Sequence, residues 1–133
     1  MTVLDASGAV DYLLGWSAAA EVERLLTTEG RLLAPDVIVF EVLSALRRQV
    51  LRGTLPGDRA QTALADLGDM RLALYPSLVL RERAWELREN MTAADALYVA
   101  LAERVGEPLA SKDEALLASA SALAGVEVIP LRS

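Results

Sequence analysis

The 133 residues are 53% hydrophobic and 24% charged, which suits one globular domain rather than a disordered chain, and they hold no uninterrupted apolar run of spanning length, which excludes a transmembrane helix. There is no Cys and no His, so disulfides, thiolate nucleophiles, Cys- or His-ligated metals and imidazole acid–base catalysis are all excluded. The net charge is -6 and Lys112 is the sole lysine, so any nucleic-acid partner needs a local Arg patch or a bound cation rather than a general basic surface.

Met1 to Leu4 runs straight into a strand without a basic, apolar leader, which gives the expectation of a cytoplasmic protein. Val3-Leu4 is the first strand, ending at Asp5, and Ala6 to Leu14 is a helix closed by Gly15. Ser17 is placed to cap a second helix that runs to about Thr28 and ends at Gly30. Leu32 to Ala34 is a strand. Pro35 and Asp36 then open a long helix to about Arg52, stopped by Gly53. Pro56-Gly57 turns into a helix over Asp58 to Leu67, and Arg71 to Tyr75 alternates like a strand until Pro76. Helices follow over Leu78 to Glu89 and Ala93 to Val105. A strand at Leu109-Ala110, a helix over Asp113 to Leu123 and a strand over Val126 to Ile129 complete the chain.

Short apolar strands alternating with helices predict right-handed crossovers and a mostly parallel sheet of about five strands, covered on both faces in a three-layer α/β/α sandwich. Such sheets carry their chemistry beyond the carboxyl ends of the strands. Asp5 follows the first strand directly, and Asp113 follows the fourth after two residues.

Most acidic residues lie on helices with Arg nearby and read as solvated faces. Four others stand out. Glu41 has Val37, Ile38, Ser44 and Ala45 as helical neighbours, so it needs either a metal or an ion pair, with Arg48 or a more distant Arg as the partner. Asp95 lies in a helix that is apolar nearly all round, where Thr92-x-x-Asp95 also fits a capping box. Ser111 with Glu114 makes a second capping box around Asp113, and Asp5 or Ser7 can cap the first helix. In a parallel sheet these four segments can converge on one crevice. Four carboxylates there need protons or a hard cation to coexist, and all-oxygen ligands suit Mg²⁺ or Mn²⁺.

Arg47, Arg48 and Arg52 read as a solvated helix end, and Trp16, Phe40 and Trp85 as core or dimer-interface residues rather than base-stacking platforms.

Val3-Leu4-Asp5-Ala6-Ser7, the Glu41 helix, Thr92 to Glu103 and Pro108 to Asp113 together resemble the PIN-domain family, and most closely its VapC-type toxins of toxin–antitoxin modules. The likeness covers essentially the whole chain, with the Asp95 segment as its most specific part. It implies one PIN-like nuclease domain over 1–133, acting as a Mg²⁺- or Mn²⁺-dependent endoribonuclease. It implies an acidic quartet of Asp5, Glu41, Asp95 and Asp113 that is both catalytic and metal-binding. Ser7 and Ser111 would then orient water or substrate; Ser111 stands where many relatives have Thr. The same likeness implies an RNA substrate, a cognate antitoxin and a homodimer, with no membrane partner. The competing readings are a non-catalytic binding module of the same fold and an aspartate-based phosphoryl-transfer or receiver domain. Ser7 replaces the second Asp of the phosphatase pattern, and Tyr75-Pro76 offers no phospho-acceptor for a receiver.

Overall fold

Val3-Leu4 forms β1, both residues fully buried, and a computed structural model describes the chain from it through residues 1–132. The remaining strands are β2 (Leu32–Pro35), β3 (Leu72–Tyr75), β4 (Leu109–Ser111) and β5 (Val128–Pro130). They form one sheet in the order β3-β2-β1-β4-β5, and every pair is parallel. Val3 registers with Leu33 on one side and Leu109 on the other.

The helices are α1 (Ala6–Leu14), α2 (Ala19–Glu29), α3 (Val37–Leu51), α4 (Gly57–Asp69), α5 (Arg81–Glu86), α6 (Ala93–Val105) and α7 (Glu114–Ala124). The crossovers β1→β2→β3 step one way along the sheet, whereas β3→β4→β5 step the other way. A constant right hand therefore puts α1–α4 on one face and α5–α7 on the opposite face. The contacts agree, since α1 packs on α2, α3 and α4 while α6 packs on α5 and α7. This is the three-layer α/β/α sandwich expected from the sequence.

α6 is deeply buried along one side, with Ala96 and the run Tyr98 to Ala102 in the core. Its apolar side chains lie against β1, β2 and β4, and each large one contributes about 1.5–3 kcal/mol by leaving water. Gly106 ends α6 at φ 68, a left-handed conformation that an L side chain would strain. α3 buries Ile38, Val42 and Leu46, a stripe at i, i+4 and i+8, and leaves Phe40 and Leu43 outside.

Several local expectations need correction. Ser17 does not cap α2: its hydroxyl donates to Asp11 Oδ2, which also accepts from Ala18 N at the helix start. Asp36 opens α3 as expected, but its carboxylate does not bond that helix; it accepts from Ser77 N at 3.2 Å, tying β2 to the turn after β3. The single helix expected over Leu78 to Glu89 is a 3₁₀ turn at Ser77–Leu80 followed by the short α5. No side chain caps either piece and α5 buries none of its residues, so nothing offsets the entropy of extending it. Of the two places expected for these aromatics, the core fails for Phe40 and Trp85, which are 66% and 68% exposed, while Trp16 is 40% exposed. Arg88 stacks over Trp85 at 4.5 Å.

Among the described residues no helix is long and apolar enough to cross a membrane.

Candidate active site

The strand order reverses between β1 and β4, which opens a crevice at their carboxyl ends. Asp5 leaves β1 there and Ser111 ends β4 there. α6 runs back across the sheet towards β4, so its first turn, with Asp95, lies at the same end. α3 starts from the end of β2 and brings Glu41 one turn into its helix. The four segments thus meet at a cavity of about 520 Å³ whose lining includes Asp5, Glu41, Asp95 and Asp113. Ser7 is on its wall, and Ser111 lies fully buried just beneath.

Asp5 is the most tightly held of the four. It is 6% exposed, and its Oδ1 accepts from the Ser7 hydroxyl at 2.7 Å and from Gly8 N at 3.2 Å. Its Oδ2 accepts from the Ser111 hydroxyl at 2.6 Å. The Ser111 oxygen in turn accepts from Asp113 N at 2.9 Å, and the Ser7 oxygen accepts from Lys112 N at 3.2 Å. Both serine protons therefore go to Asp5, and both serine oxygens anchor the loop that carries Asp113. Asp5 caps α1, as anticipated. For α7 the cap is Asp113 itself, accepting from Leu116 N at 3.1 Å, rather than Ser111, whose hydroxyl is already committed.

Asp95 is freer. Thr92 caps α6 by accepting from Asp95 N at 3.2 Å, but the reciprocal half of a capping box, carboxylate to Thr92 N, is not formed. The Asp95 carboxylate is left facing the cavity. Glu41 makes no ion pair among the described residues, so the alternative of a salt bridge with Arg48 or a distant Arg does not hold. Arg48 acts on it only through space.

Three of these acids hold their protons above the ordinary carboxylate range. Burial is the main cause for Asp5; its serine and Gly8 hydrogen bonds oppose it, and the charge of Asp95 adds to it. Burial also leads for Glu41, reinforced by Asp95 and Asp5 and opposed by Tyr98 and Arg48. For Asp95 burial leads, Thr92 opposes and Asp113 adds its repulsion. Each acid thus feels at least one of the others. Such a cluster is stabilised by protons or by a cation.

The donor set fits a hard divalent ion in kind, since it is all oxygen and partly desolvated. Among the described residues no three acids already stand as a closed ligand group.

Three further residues line the cavity: Arg48, expected only as an ion-pair partner of Glu41 or a solvated helix end, Tyr98, and Lys112. Arg48 is not simply a solvated helix end, because it lies two helical turns from Glu41 on the same face. Tyr98 is at i+3 from Asp95, the spacing that could have found it. Lys112 reaches Asp11 Oδ2 at 2.8 Å, placing the sole lysine beside the acids. Phe40 also lines the cavity mouth.

Comparison with known proteins gives a consistent result. A family model described as PIN domain matches residues 2–122. Ribonuclease VapC1 of Mycobacterium tuberculosis is 42% identical over 118 residues, covering 88% of this chain and 89% of that protein. VapC ribonuclease Mb0985 of Mycobacterium bovis is 36% identical over 130 residues, covering 98% and 99%. Ribonuclease VapC12 of Mycobacterium tuberculosis is 35% identical over 129 residues, covering 97% and 99%.

Proposed function

The chain belongs to the PIN-domain family, and on that premise we propose that it is a Mg²⁺- or Mn²⁺-dependent endoribonuclease, the toxin of a toxin–antitoxin pair. The observation that carries this reading is the lining of one open cavity by Asp5, Glu41, Asp95 and Asp113. The relatives' shared description as ribonucleases supports the activity.

Asp5, Glu41 and Asp95 are the residues that would hold the ion, with Asp113 beside a second ion or a water. A hard dication bound there neutralises phosphate charge and activates water for attack on phosphorus. The chain's own groups do the rest. Ser7, Gly8 N and Ser111 fix the Asp5 carboxylate, and through it they orient the water or substrate next to it. Arg48 puts positive charge on the wall of the cavity and draws the RNA backbone past the acids, while the charge of Lys112 is matched by Asp11. This local charge is what an overall charge of -6 requires of an RNA enzyme.

A cognate antitoxin that closes the cavity, a homodimer and a cytoplasmic site of action complete the proposal, with residues 1–133 as one nuclease domain. The test is incubation of the purified protein with total RNA and Mn²⁺, with and without a chelator. Cleavage that disappears with chelator supports the reading. RNA binding without cleavage would instead favour the non-catalytic module, and stable labelling by a phosphoryl donor would favour the phosphoryl-transfer domain.

A further inference from the structure

Tyr98 is 1% exposed, and its ring is packed in the core on α6, yet its hydroxyl end reaches the floor of the acidic cavity. Glu41, Asp5 and the backbone of Ala6 are the polar groups that act on that hydroxyl. None of them meets it at bonding geometry. Among the described residues, Tyr98 Oη is the only buried side-chain polar atom without a hydrogen-bond partner. A buried hydroxyl left in that state is unfavourable by about 1–3 kcal/mol, whereas Phe would fill the same space without the loss.

The surroundings narrow down the acceptor. Asp5 already receives three donors, from Ser7, Gly8 and Ser111. Glu41 receives none at bonding geometry, and its carboxylate, carried by α3, lies near enough to the Tyr98 hydroxyl for the two to act on each other. A phenol keeps its proton at neutral pH, so Tyr98 is a donor.

We infer that Tyr98 is a positioning residue: its hydroxyl donates to one Glu41 carboxylate oxygen when Glu41 turns towards Asp5 and Asp95, fixing the carboxylate in its cation-holding orientation. The inference rests on the proposed reading of the cluster as a divalent-cation site. It assigns a role to the one unsatisfied polar group of the core, and it places an outer support behind the acid that has fewest of its own.

The test is Tyr98→Phe in the full chain, read by Mn²⁺ affinity from electron paramagnetic resonance, by metal-free melting temperature and by the split between kcat and KM on RNA. The expected result is a melting temperature equal to or above wild type, with Mn²⁺ affinity weakened about 10-fold or more. kcat should fall while KM for RNA stays the same. In a Glu41→Gln background, Tyr98→Phe should change Mn²⁺ affinity no further, because its effect passes through Glu41. Mn²⁺ affinity and kcat unchanged from wild type overturn the inference, as does a lowered melting temperature with unchanged affinity, which marks a purely structural hydroxyl. Additive losses in the double variant overturn it as well. If wild type itself binds no Mn²⁺, the cation-site reading falls and this inference with it; Tyr98 alone is at fault when wild type binds and the variant binds equally well.

Discussion

The Ser111 hydroxyl donates to Asp5 Oδ2 across 2.6 Å and joins the carboxyl ends of two neighbouring parallel strands at the point where the sheet changes direction. The same oxygen accepts from Asp113 N, so one fully buried group sets the position of two acids. Ser111→Ala should leave a buried carboxylate oxygen and an amide short of a partner and destabilise the fold by about 1–3 kcal/mol. RNA cleavage should fall by about 10-fold or more, because Asp5 and Asp113 lose their common anchor. Urea unfolding and initial cleavage rates check the two parts separately.

Asp95→Asn should separate stability from activity. The carboxylate caps nothing and adds charge to a desolvated, like-charged cluster, so its loss should raise the melting temperature of the metal-free protein. Cleavage should drop on the order of 100-fold or more if the group holds the ion. Thermal melting beside a cleavage assay reads both. A variant that melts lower and cleaves normally contradicts the assignment.

The raised proton affinities of Asp5, Glu41 and Asp95 fix the sign of the pH dependence. Between the ordinary carboxylate range and the raised values, the folded state holds more protons than the unfolded chain. Their stabilising contribution is therefore complete below the ordinary range and is lost as pH rises through the raised values. A cation competes with those same protons. The Mn²⁺-induced gain in melting temperature should grow from mildly acidic to mildly alkaline solution, as differential scanning fluorimetry can record. A gain that shrinks as pH rises contradicts the cluster as the binding site.

Gly8 reports on the packing beneath the site. A Cβ there would lie 2.6 Å from Leu4 Cδ1 and 2.7 Å from Leu131 Cδ1, both on buried side chains. Gly8→Ala should destabilise by about 1–3 kcal/mol through overpacking. It should also weaken cleavage, because Gly8 N holds Asp5 Oδ1. Chemical denaturation with a parallel activity assay tests this.

The strands and long helices were legible because Gly and Pro bracket them and because α6 is apolar nearly all round, the pattern of a buried helix. Asp5, Glu41, Asp95 and Asp113 were legible as acids in apolar or strand-end settings, and parallel-sheet geometry gave a reason for them to meet. Fine detail was not. Asp36, Asp11 and Ser17 bond to partners outside their own helix starts, which local capping rules do not anticipate. The stretch from Ser77 to Glu89 carries helix-forming residues but packs too little to keep one helix, a tertiary effect. Tyr98 and Arg48 look like ordinary core and surface residues until α3 and α6 are placed across the same cavity.

The most direct measurement is anomalous diffraction from crystals of the protein soaked in Mn²⁺. The expected result is a manganese peak in the cavity, within ligand distance of carboxylate oxygens from Asp5 and Asp95 and with Glu41 turned towards it. No peak there under conditions in which the protein still cleaves RNA, or one bound only at other acids, would contradict it.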